Sequence, residues 1–148
     1  MKKIANGRRV LMGQIDAGTY QGQENRLQLF DGSFETGYRI VDIKIAPQLP
    51  ASAYELIAKV STEPNSDIGF FNWDDTEEVA WATWNAPTNS RFGESHFIRE
   101  DTMIIEDLWI SFYTTGEAIQ CNYQITLEKY DLTDWEGTLS MVQNRSQA

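Results

Sequence analysis

The stretch Ala118-Ile119-Gln120-Cys121-Asn122-Tyr123-Gln124-Ile125-Thr126-Leu127-Glu128 decides how this chain folds. Ile119, Cys121, Tyr123, Ile125 and Leu127 alternate with Gln120, Asn122, Gln124 and Thr126. A period of two sends successive side chains to opposite faces of a pleated backbone, so the run predicts a strand with one buried face. Just before it, residues 103–114 (MIIEDLWISFYT) are rich in β-branched and aromatic side chains, and Thr114-Thr115-Gly116-Glu117 supplies a turn. The two runs together predict a long β-hairpin.

Working outward, residues 38–46 alternate Val41, Ile43 and Ile45 against Asp42 and Lys44 until Pro47-Gln48-Leu49-Pro50 stops them. Residues 53–61 place Tyr54, Leu56, Ala58 and Val60 on one face, and the bracketing Pro50 and Pro64 favour a strand over a helix. Further strands are expected at 8–16, 26–31, 68–73 and 78–85. Eight short strands separated by turns predict an all-β, eight-stranded antiparallel sandwich of jelly-roll-like or immunoglobulin-like topology. After Thr133, a residue suited to cap a helix with Glu136 three positions on, the period changes: Trp135, Leu139 and Val142 fall at i, i+4 and i+7. A short C-terminal helix or arm is therefore expected over 133–148, too short to be stable without a neighbour. Its apolar stripe makes Trp135, Leu139 and Val142 the candidate interface residues.

At 148 residues the chain fits one β-sandwich domain, expected over 1–148, burying about 70% of the surface its unfolded form exposes. The single cysteine, Cys121, rules out an internal disulfide and a four-cysteine zinc site, and its place in the apolar phase of a strand predicts burial. No secretion signal is expected, because IANGRRVLMGQID after Lys2 and Lys3 offers no continuous apolar core. No run approaches the length of a membrane-spanning helix. The net charge is −10 and uneven: Lys2, Lys3, Arg8 and Arg9 precede the first acid, leaving eight Lys and Arg against 22 Asp and Glu in the rest. The body should repel nucleic acid, and contact with it is expected only through a flexible basic arm at residues 1–8.

No catalytic site, metal site or cofactor site is expected. His96 is the only histidine, which removes His-His metal motifs and leaves Cys121 with His96 as the sole nucleophile dyad; a thiol in the apolar phase of a strand is disfavoured as a thiolate. Asn72-Trp73-Asp74-Asp75-Thr76-Glu77-Glu78 is the densest acidic cluster, yet it lacks the spacing of a calcium loop and reads as a solvated turn. Phosphate-cradling glycine motifs are missing. Trp73, Trp81 and Trp84, with Phe70 and Phe71, could form a stacking platform for a sugar ring. Trp81 shares a face with Val79, which points to burial, and Trp84, in the opposite phase, is the ligand-stacking candidate.

The closing stretch, Glu106-Asp107-Leu108-Trp109-Ile110 through Cys121-Asn122-Tyr123-Gln124-Ile125-Thr126-Leu127-Glu128-Lys129-Tyr130 and on to Thr133-Asp134-Trp135-Glu136-Gly137, resembles small β-sandwich proteins of bacterial viruses. The resemblance covers about the last 45 residues and is one of general style. It implies a structural, self-assembling virion protein of the capsid, minor capsid or decoration kind. Such a protein would be made in the host cytoplasm, carry no cofactor and catalyse nothing, with further copies of itself or other virion proteins as partners. A carbohydrate- or ligand-binding β-sandwich module is the alternative expectation.

Overall fold

The computed structural model describes residues 2–16, 24–29, 35–49, 55–64, 69–88, 91–114 and 120–131. Among these residues there are eight strands and no helix: β1 (Lys2–Asp16), β2 (Glu24–Leu27), β3 (Thr36–Pro47), β4 (Leu56–Ser61), β5 (Glu78–Thr88), β6 (Arg91–Ile98), β7 (Leu108–Thr114) and β8 (Gln120–Asp131). They form two antiparallel sheets, one of three strands in the order β1-β8-β3 and one of five in the order β2-β7-β4-β5-β6. The all-β, two-sheet expectation holds at that level.

The alternation in β8 works as expected: Cys121, Ile125 and Leu127 have no exposed surface, and Tyr123 packs against the same core. Ile119, assigned to the same face, lies outside the described residues. Across the sandwich, β4 and β7 turn Leu56, Ala58, Val60, Ile110 and Phe112 inward, each fully buried. Burial of such a side chain contributes roughly 1.5–3 kcal/mol, so this double row is the main source of cohesion between the sheets. Tyr123 meets Phe112 across the gap at 6.5 Å between ring centroids. Its ring also lies over Gly13, its cross-strand partner on β1. A Cβ built at Gly13 would sit 2.6 Å from the Tyr123 hydroxyl oxygen and 2.8 Å from Cζ, so only glycine lets the ring lie there.

Several strand expectations are corrected. Residues 103–114 and 118–128 do not form a hairpin, because β7 belongs to the five-stranded sheet while β8 is the middle of the other. The apolar faces of β7 and β8 meet across the core from opposite sheets, with Phe112 against Tyr123. Residues 69–73 of the expected strand 68–73 are turn and loop, and β6, for which no strand was expected, is an edge strand. Of residues 103–107, only Ile104 makes a bridge, to Tyr38, ahead of β7. The basic stretch expected as an arm is the start of β1, where Lys2 pairs with Asp131 and Lys3 with Tyr130 before an irregularity that ends at Arg8. The C-terminal helix falls outside the described residues. Among those described, no helix is long and apolar enough to cross a membrane.

Candidate functional site

In the five-stranded sheet, Ser111, Lys59, Trp81 and Phe97 lie in one cross-strand row on the face turned away from the core. Such a row should be wet. Instead Lys59 and Trp81 are only 2% and 1% exposed. Residues 69–77 fold back over the sheet and cover them, starting at Gly69, whose φ of +86° suits glycine alone.

The cover is fastened by one carboxylate. Glu78, fully buried, accepts from four donors: at Oε1 the Asn72 backbone N–H (2.9 Å) and the Trp81 indole N–H (3.0 Å), and at Oε2 the Asn72 Nδ2 (3.0 Å) and the Lys59 Nζ (3.2 Å). Burial pushes this carboxyl upward, but the Trp81 and Asn72 hydrogen bonds and the Lys59 ammonium outweigh it and hold it below its ordinary value. Lys59 also donates to the Phe70 carbonyl at 3.1 Å. From the other side Arg99 donates to the carbonyls of Trp73, Asp75 and Glu78 while its guanidinium lies 5.5 Å from the Trp81 ring centroid. A buried ion pair rarely adds net stability over apolar packing, so what this one secures is a backbone path for the loop.

The path presents aromatic surface. Trp73 and Phe97 stack at 4.8 Å between centroids with an interplanar angle of 20°, and both lean on the buried Trp81, at 6.0 and 5.7 Å. Trp73 is 57% exposed and Phe97 51% exposed, and Phe70, on the same loop, is exposed too. Acids border the pair. Asp74 next to Trp73, and Glu100 and Asp101 after Arg99, are exposed, while Asp75 caps the Glu77 N–H at 3.0 Å. The corner is a pre-set, wet-faced pair of rings in an acidic surround, suited to stacking and to cations.

The other singled-out residues lie elsewhere. Trp84 faces inward and packs against the core, so the exposed indole of this corner is Trp73. Cys121 is buried in β8, whereas His96 is exposed on β6, its Nε2 3.8 Å from Asp42 of β3. The acidic run 72–78 builds the loop rather than a metal site, and among the described residues no three His, Cys, Asp or Glu side chains gather as ligands. An open hollow of about 430 Å³ is lined by Arg26, Glu63, Glu106, Asp107 and Trp109. Its buried Asp107 is engaged structurally, taking Arg26 Nε at 2.6 Å and the Leu29 N–H at 2.9 Å, which ties β2 to β7. Trp135, Leu139 and Val142 fall outside the described residues. Sequence reasoning missed Lys59, Glu78 and Phe97; the one available signal was that an apolar run (68–73) stands close to the strand that carries Trp81.

No family model, no curated protein and no solved structure matches the chain.

Proposed function

We propose that this chain is a structural, self-assembling subunit of a bacterial-virus particle, a capsid, minor capsid or decoration component with a jelly-roll sandwich and no catalytic role. The observation that carries the reading is the strand order. A jelly roll arises when one long antiparallel ribbon, its strands matched first with last, curls into two sheets; the matches are one with eight, two with seven, three with six and four with five. Here β1·β8, β2·β7 and β4·β5 are hydrogen-bonded neighbours. β3 and β6 approach one another between the sheets, where His96 faces Asp42. Viral coat subunits and lectins both use this architecture. The coat reading is favoured by the sequence resemblance and by a charge distribution that sets a basic first strand against an acidic remainder. The short C-terminal helix, with Trp135, Leu139 and Val142 as a contact between subunits, belongs to the same reading.

The second reading, a carbohydrate- or ligand-binding module, is favoured by the half-exposed Trp73 ring. Sedimentation velocity on the purified chain over a wide concentration range separates the two. A defined species heavier than the 16.9 kDa monomer supports assembly. A monomer at every concentration that binds immobilised glycans, and loses that binding in Trp73→Ala, overturns it in favour of the module.

A further inference from the structure

Two exposed surfaces of this molecule complement one another, and they lie on different sheets. On β1 the outward phase is Arg8, Val10, Met12 and Gln14, all exposed, with Val10 at 45% and Met12 at 71%. A flat row of one cation and two apolar side chains on an edge strand is an invitation to association, and natural edges usually guard against it. The inward phase, Leu11 and Ile15, packs on the core, so the outward row cannot be withdrawn without breaking the sandwich. At the far edge of the five-stranded sheet stands the Trp73–Phe97 corner with its exposed acids Asp74, Glu100 and Asp101. Arg99, beneath the corner, is engaged with loop carbonyls and Trp81.

We infer that the β1 row of one copy docks on the Trp73–Phe97 corner of the next, with Val10 and Met12 against the rings and Arg8 toward the acidic surround. The inference rests on the self-assembly reading and names its contact. Charge chooses the occupant. Pairing the β1 row with the same row of a second copy offers Arg8 no acid from that row, whereas the exposed acids Asp74, Glu100 and Asp101 of the corner attract it. An arginine reaching an exposed indole face also gains a cation–π contact. Because the two surfaces differ, the contact is heterologous: each copy uses one face to hold its neighbour and offers the other, giving a closed ring or an open row rather than a two-fold dimer.

A heterologous contact has a signature that an isologous one lacks. In one variant the row is disabled by Val10→Glu with Met12→Glu; in another the corner is disabled by Trp73→Ser with Phe97→Ser. Near-UV circular dichroism checks that each is folded, and Asp74→Lys replaces the second variant if loss of the rings disturbs the fold. By analytical ultracentrifugation the wild-type chain is expected to form species larger than a dimer, each variant alone to stay monomeric, and the equimolar mixture to give a one-to-one dimer and nothing larger. That dimer uses the intact corner of the first variant and the intact row of the second. A mixture that remains monomeric while the wild type assembles, or either variant assembling alone, overturns this contact and leaves the assembly reading standing. A wild-type chain that never self-associates overturns both.

Discussion

Replacing Glu78 by glutamine keeps its shape and removes its charge, and the hydrogen-bond geometry says why that small change should be costly. Each carboxylate oxygen takes two donors, Oε1 from Asn72 N and Trp81 Nε1 and Oε2 from Asn72 Nδ2 and Lys59 Nζ. An amide has one oxygen, so whichever way it is turned its NH₂ group confronts two donors, and the buried Lys59 ammonium loses the Glu78 charge beside it. Removing one partner of a buried ion pair costs about 3–5 kcal/mol. For a chain of this length that lowers Tm by on the order of 10 °C. The pH dependence follows from the direction of the shift. The folded-state pKa of Glu78 is held below its reference value of 4.5. Its contribution is therefore fully present above that reference value and is lost as pH falls through the folded-state pKa. Urea unfolding of wild type and Glu78→Gln between pH 7 and pH 3 should show a gap that is widest at neutral pH and narrows in acid. A gap under about 1 kcal/mol at pH 7, within the range of ordinary surface substitutions, or one that widens toward pH 3, refutes the account of Glu78 as the fastener of the loop.

Leu127→Ala, which empties a fully buried site in β8, should cost about 2–5 kcal/mol in urea unfolding; a loss under 0.5 kcal/mol contradicts the assigned register. Gly13→Ala should cost about 1–3 kcal/mol from the clash with Tyr123. That loss should shrink in a Tyr123→Ala background, so additive losses in the double-mutant cycle argue against a direct contact. Chelation with EDTA should leave Tm unchanged, since Asp75 and Glu78 are engaged in the loop's own hydrogen bonds; a drop that calcium restores and that Asp74→Asn with Asp75→Asn abolishes would revive the cluster as a metal site.

What could be read from the residues follows a physical divide. β8 and β3 were legible because each buries one face against a single partner sheet, and that simple environment writes a period of two into the sequence. β6 was not, since RFGESHFI is an edge strand whose Ser95, His96 and Phe97 are all exposed, so no burial imposes a pattern. The pairing of β7 and β8 was misjudged because alternation tells which face is buried but not against what, and closeness in sequence favours a hairpin by default. The loop fastener was hidden for a different reason. Lys59 and Glu78 are charged residues in strands, and their burial depends on a covering segment whose own aromatic run, 68–73, imitates a strand. Only the fold reveals that residues 69–73 of that run are a lid over the Trp81 side of the sheet.

The central position of β8 bears on how the molecule comes into being. The three-stranded sheet unites Arg8 with Glu128 and Ile43 with Ile125, so its first and last strands are separated by nearly the whole described chain. During synthesis β1 and β3 leave the ribosome early and have no partner in their own sheet until residues 120–131 follow. A topology so dominated by distant pairings closes slowly, on the millisecond-to-second scale. In the interval a nascent chain displays unpaired β1 and β3 backbone to neighbouring nascent chains on the same message, a setting that favours mispairing. Translation speed and chaperone supply while residues 120–131 emerge should thus bear on the yield of native protein.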